Sequence, residues 1–174
     1  EGFEAGGHNG REETTTFALI PMVKEQVKIP VIAAGGIGSG RGMLAAMVLG
    51  ANGVQVGSRF AATKESSAHT NFKETIVNVK DGDTQLTLKE LAPVRLVKNK
   101  FFNEVQALYQ QNPTIDDIKE LLGRARAKKG MFEGDLDNGE LEIGQVAGLI
   151  HEIKSAKEVI DEMMTEFEAV KKQF

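Results

Sequence analysis

"IPVIAAGGIGSGRGMLAAMVLGANGVQVGSRF", from Ile29 to Phe60, decides the fold. It holds two short apolar runs that end in glycine, separated by a helix of small residues. "IPVIAAGG" (29–36) and "ANGVQVGSRF" (51–60) read as strands buried on both faces, the texture of a parallel sheet. "GRGMLAAMVLG" (40–50) reads as a short helix bounded by glycines. Upstream, "TTTFALIPMVKEQV" (14–27) puts Phe17, Ile20, Val23 and Val27 at helical spacing, with Thr14 to Thr16 as caps. Pro21 fits best in a first turn, so a late helix start is expected. "SSAHTNFKETIVNV" (66–79) is helical again. Helices alternating with strands across tight connections mean an α/β fold with parallel strands. Glycines at the carboxyl ends of the strands place ligand chemistry at that face.

The second half changes character. "DGDTQLTLKELAPVRLVKNKF" (81–101) mixes turns with β-branched residues and reads as an excursion. "NPTIDDIKELLGRARAKKG" (112–130) is a helix with Thr114 as N-cap and acids in its first turn. "FEGDLDNGELEIGQVAGLI" (132–150) is turn-rich, then apolar. The last helix spaces Ile153, Ala156, Ile160, Met163, Phe167, Val170 and Phe174 by three and four. That stripe suits a helix lying against its own domain better than a short coiled coil.

Composition removes several function classes. The chain has 174 residues, 41% of them hydrophobic, which is enough for a packed core. There is no cysteine, so disulfides, thiolate zinc sites and thiol catalysis are excluded. No apolar stretch is long enough to span a membrane, and a cytoplasmic protein without membrane partners is expected. Residues 1–88 carry 8 Lys+Arg against 9 Asp+Glu, residues 89–130 carry 9 against 5, and residues 131–174 carry 4 against 11. The basic middle segment offers Arg95, Lys98 and Lys100 as a dock for an acidic partner. Nucleic acid is excluded as a partner by the net charge of -4 and an aromatic content of 6%.

The residues that could carry chemistry lie at the strand ends. "AAGGI" (33–37) and "VGSRF" (56–60) each pass from a strand through glycine into a helix, where backbone N–H groups lack intrahelical partners. Side by side, two such turns cradle a phosphate. Gly35, Gly36 and Gly57 allow close approach, and Ser58 adds a hydroxyl donor. The dinucleotide fingerprint and the P-loop are both absent from "GGIGSGRG", which favours a mononucleotide phosphate. His8 sits in a glycine-rich loop and suits proton transfer or hydrogen bonding to substrate. His69 and His151 read as surface residues, and no histidine pair has metal-ligand spacing, so no metal site is expected. "EGDLDNGE" (133–140) fails as a calcium loop and reads as a polar turn.

Taken together, "EGFEAGGHNG" (1–10), "IPVIAAGGI" (29–37) and "GVQVGSRFAATKES" (53–66) resemble the nitronate monooxygenase (2-nitropropane dioxygenase) superfamily of FMN-dependent barrels. "KESSAHTNFKETI" (64–76), "PVRLVKNKF" (93–101) and "EGDLDNGELEIGQVAGLI" (133–150) resemble its FabK-type enoyl-acyl-carrier-protein reductase branch more closely. Glu1, where the monooxygenases often have glutamine, leans the same way. The resemblance implies the C-terminal portion of a (β/α)8 TIM barrel, with barrel elements in residues 1–80 and an excursion plus a mostly helical segment in 81–174. It implies bound FMN, with phosphate on the backbone of Gly36, Gly57 and Ser58, and with Gly6, Gln55 and Val56 at further flavin-contacting positions. His8 matches the histidine assigned to catalysis. NAD(P)H would be the co-substrate and a carrier-bound or small acyl thioester the substrate; some members use a monovalent cation, and a homodimer is expected.

Alternatives from this reading are nitronate oxidation by O2, a non-catalytic flavin- or phosphate-binding module, and an interaction fragment. A barrel needs about 250 residues. Glu1 is therefore expected to be a cut within a longer protein, and Val31, Ile32 and Val54 to be core residues left exposed.

Overall fold

The computed structural model describes residues 1–173 and has an α/β architecture. β2 (Ile32–Ala34) and β3 (Gly53–Gln55) pair in parallel, Ile32 opposite Gly53 and Ala34 opposite Gln55. α2 (Gly40–Val48) makes the crossover between them, begun by Ser39, whose hydroxyl accepts from the Gly42 N–H. α1 (Thr16–Gln26) precedes β2. Ile20 of α1, Ala33 of β2, and Ile37, Ala46 and Ala51 close one small core.

Two details of this unit differ from expectation. α1 does not start late: it begins at Thr16, with Pro21 inside it. The Thr15 hydroxyl caps the Ala18 N–H, and the Glu4 carboxylate accepts from the Thr16 N–H at 2.9 Å. Two partners at the first turn outweigh the single backbone bond that the proline removes. Nor are the strands buried on both faces. Ala33 is buried, but Ile32 is 60% exposed and Gln55 is exposed, while Val31 and Val54 are half-buried. α1 and α2 pack on the pair over the small core, while Ile32 and Gln55 stay open.

After β3 come α3 (Ser58–Ala61) and α4 (Thr70–Asn78). His69, read as surface, is the half-buried N-cap of α4, and its Nδ1 accepts from the Asn71 N–H. The expected excursion is a hairpin of β4 (Thr84–Thr87) and β5 (Val94–Val97). β1 (Gly7–His8) adds to its far edge, antiparallel, with His8 opposite Val94. The hairpin packs on α5 (Lys100–Tyr109) and α6 (Ile115–Leu122) through Val94, Leu96, Phe101, Phe102, Val105 and Ile118. α6 starts at Thr114 with a full capping box to Asp117, as its sequence predicts.

α7 (Arg126–Met131) leads into a turn held by Asp135, whose Oδ1 accepts from the Asp137 and Asn138 N–H groups. The segment after it returns to the core: Leu141, Ile143, Ala147 and Ile150 pack with Ala62, Phe72 and Ile76. α8 (Ala156–Lys171) lies along α2 and reaches α3, so it is not a coiled-coil strand. Its buried stripe is Val159, Met163, Phe167 and Val170. Ile160 is exposed and Val159 takes its place in the stripe, while Met163, Phe167 and Val170 fall where the spacing puts them. Phe174, the last member of the predicted stripe, lies outside the described residues. No helix is long and apolar enough to cross a membrane among the described residues.

Arg95 is not available as a dock. It is 2% exposed on β5, where its guanidinium donates to the Phe3 carbonyl at 2.8 and 3.0 Å and to the Thr84 hydroxyl at 3.3 Å. It also lies 5.1 Å from the Phe3 ring centroid. Lys98 and Lys100 are exposed. Arg95→Met should therefore lower stability by about 2–3 kcal/mol, since it leaves a buried carbonyl without its charged donor. Urea unfolding measures this, and a loss below about 0.5 kcal/mol would contradict the role given to the guanidinium.

Candidate functional site

The parallel pair ends at a cavity of about 250 Å³. Gly6, Gly35, Gly36, Gln55, Gly57 and Ser58 line it, so six of the predicted residues share one site. Val56 does not line it; its side chain packs at the edge of the small core behind β3. The pleat explains this, because successive residues of a strand point to opposite faces.

The glycines are there for different reasons. Gly35 and Gly36 have φ of +95° and +68°, and a Cβ at Gly35 would come within 2.7 Å of the Gly2 carbonyl oxygen. A Cβ at Gly6 would overlap the Ile143–Gly144 peptide. These three are explained by the fold itself. Gly57 is not: its φ is -94°, and a Cβ there would meet nothing within 4 Å. Among the described residues, none accepts a hydrogen bond from the N–H of Gly36, Gly57 or Ser58. Open space beside unbonded donors is the chemistry of an anion cradle. The Ser58 hydroxyl accepts from the Gly144 N–H at 2.9 Å and keeps its own proton to donate.

The other walls come from residues that sequence reasoning missed: Glu4, Met131, Glu142, Gly144 and Val146. Glu4 is engaged at the start of α1, with Oε2 accepting from the Thr16 hydroxyl at 2.9 Å. Gly144 and Val146 follow an alternation, Glu140-Leu141-Glu142-Ile143, whose period of two was the signal to read.

His8 lies beside this cavity rather than in it. It lines a second one of about 210 Å³ with Leu88, Leu91, Val94, Arg126 and Glu140. Its side chain is 69% exposed, and Nδ1 stands 3.9 Å from Oε1 of Glu142, which is 18% exposed. Glu142 thus borders the cradle and touches His8. Burial pushes the Glu140 carboxyl above the ordinary range, repulsion from Glu142 adds to this, and His8 and Arg126 oppose it. Burial likewise raises Glu142, against His8. His151 is exposed and belongs to neither cavity.

The sequence profile of the nitronate monooxygenase family matches residues 1–166. The chain belongs to the nitronate monooxygenase family. Within it, a probable nitronate monooxygenase of Staphylococcus saprophyticus is 34% identical over 165 residues, which is 89% of this chain and 46% of that protein. A probable nitronate monooxygenase of Bacillus subtilis is 33% identical over 174 residues, 95% of this chain and 50% of that protein. FabK from Thermotoga maritima superposes with a TM-score of 0.91 at 43% identity, over 99% of this chain and 54% of FabK. A nitroalkane oxidase from Streptomyces ansochromogenes superposes at 0.79 with 28% identity, over 99% of this chain and 51% of that one. The chain spans about half the length of the curated relatives it matches.

The raised Glu140 carboxyl has a consequence for this family member's pH dependence. An acid whose folded pKa exceeds its unfolded one contributes stability below the ordinary carboxylate range, and that contribution fades as pH rises through the folded value. Glu140→Gln should therefore raise the melting temperature at pH 8, and by much less at pH 4. A lower melting temperature at pH 8 would show that pairing with Arg126 and His8 outweighs burial.

Proposed function

We propose that this chain supplies the phosphate end and the acid–base side of the FMN site in an NAD(P)H-dependent enoyl-acyl-carrier-protein reductase. The observation that carries the reading is Gly57: a glycine required neither by its φ nor by a neighbour, beside N–H groups that nothing in the described chain uses. The cavity of about 250 Å³ is below the roughly 300–1,000 Å³ of pockets that enclose a whole ligand. It suits a phosphate and the atoms next to it. The remaining contacts would come from earlier strands of a (β/α)8 barrel, of which residues 1–80 are the C-terminal part and residues 81–174 the appended segment.

In this reading Gly36, Gly57 and Ser58 hold the phosphate by N–H and O–H donation, and Gly6, Gly35 and Gln55 shape the walls. A bound flavin would supply hydride transfer from a nicotinamide to the double bond of an enoyl thioester. His8 donates a hydrogen bond or a proton to the substrate from the neighbouring cavity. The reductase is favoured by the higher identity and TM-score of FabK over the nitroalkane oxidase. Nitronate oxidation by O2 is the second reading, supported by the names of the curated relatives. Anaerobic NADH oxidation dependent on an enoyl thioester supports the first, and O2 uptake with an alkyl nitronate the second. A cytoplasmic location, a monovalent cation and a homodimer stay part of the proposal.

Gly57→Val should weaken FMN binding far more than folding, because its branch enters open space. Ser58→Ala should cost about 1.5–3 kcal/mol in FMN binding through the loss of a donor to a charged group. Flavin release on dialysis measures both; unchanged retention in the valine variant would place the phosphate elsewhere. His8→Ala should lower turnover by about 10²–10⁴-fold with FMN content preserved, and activity within twofold of the parent would remove His8 from the chemistry.

A further inference from the structure

The stretch Glu140 to Ile143 runs beside β5, where the Val97 N–H donates to the Leu141 carbonyl at 3.0 Å. Its side chains alternate. Leu141 and Ile143 are buried in the core that α4 closes. Glu140 and Glu142 take the other side, where His8 lies. The two core anchors on either side of Glu142 leave its carboxylate little freedom. Its Oε2 lies close to Gly7, in space that a Cβ at that position would take at 2.7 Å. The carboxylate is the more enclosed of the two groups, 18% exposed against 69% for the His8 side chain.

We propose that Glu142 is the positioning residue for His8: its carboxylate holds the imidazole at the boundary between the two cavities and stabilises the ring when it is cationic. The charged groups around this pair come from several elements. Glu140 lies two residues before Glu142 and shares the second cavity with His8. Arg126 of α7 lines the same cavity. Glu1 and Glu4 border the cradle that Glu142 also lines, and Glu4 is engaged on Thr16. Glu142 is the carboxylate in contact with the His8 ring. The inference rests on the flavin-site reading for what His8 does in the reaction, and on geometry alone for what Glu142 does to His8.

The test is direct titration of the His8 ring by NMR in the complete protein that carries this chain, with His8→Ala identifying the resonance. Glu142→Gln keeps the shape and removes the charge. It should lower the His8 midpoint, because a cationic ring loses the carboxylate beside it. The acidic limb of the kcat/KM profile should move by the same amount, with flavin content unchanged. In a His8→Ala background, Glu142→Gln should cause no further loss of kcat, because the two act as one unit. Glu142→Asp should give a smaller shift in the same direction, and decides the matter if the glutamine variant does not fold. A His8 midpoint unmoved within about 0.2 unit, or equal kcat losses from Glu142→Gln with and without His8, would overturn the assignment. A moved midpoint in a protein inactive on both enoyl thioester and nitronate would uphold the pairing and sink the proposed function instead.

Discussion

Residues 2–9 reach four other parts of the molecule mainly through their main chain. The Gly2 N–H donates to the Ala34 carbonyl, and the Phe3 N–H to the Thr14 carbonyl. The Phe3 carbonyl accepts from Arg95, and the Glu4 carbonyl from the Gln145 N–H. Gly7 and His8 then pair with β5, and the Asn9 N–H donates to the Pro93 carbonyl. This segment carries little apolar side-chain volume, so burial alone cannot place it. Hydrogen bonds to partners distant in sequence do so, and each fixes a direction as well as a distance. The cradle, the hairpin and the returning segment at 140–146 all take their relative positions from this strap. Arg95 is its firmest tie, because a buried guanidinium with two bonds to one carbonyl cannot be replaced by water.

The parallel pair, the α2 crossover and the cap of α6 were legible because each rests on local chemistry: short apolar runs, bounding glycines, a threonine followed by aspartate. That six of the seven residues read as flavin-contacting would share one cavity was legible for the same reason, since strand-end glycines announce themselves. Val56 was misplaced where pleat parity decides which residue faces the cavity. Ile160 was misplaced because steps of three and of four back from Met163 are both helical, and the buried stripe takes Val159. Arg95 was misread because a basic residue in a basic segment looks solvated, and only the approach of Phe3, distant in sequence, makes it internal. Glu142 and Gly144 were missed because a turn-rich composition masks an alternating tetrapeptide.

The cradle's lining contains Glu1, Glu4 and Glu142 and neither lysine nor arginine. If a phosphate seats there as proposed, its attraction would not come from the side-chain charge of these residues. It would come from N–H dipoles at close range, which gives the open space beside Gly57 its weight in the proposal. Dipoles act over a few ångströms and reward shape. Such a site discriminates by fit, and the carboxylates around it penalise anions that approach without seating on the N–H groups.

That same negative surround gives the Glu142–His8 contact its sign. A neutral imidazole gains little from a carboxylate 3.9 Å away, whereas a cationic one gains a Coulombic interaction. Burial works against the carboxylate being charged at all, so Glu142 is most readily ionised when His8 is protonated. The coupling depends on Glu142 staying partly buried. It stays so because Leu141 and Ile143 are core residues, which ties the proton balance of the site to the packing of Phe72 and Ile76 beneath it. A substitution that loosens that core would therefore reach the imidazole without touching it.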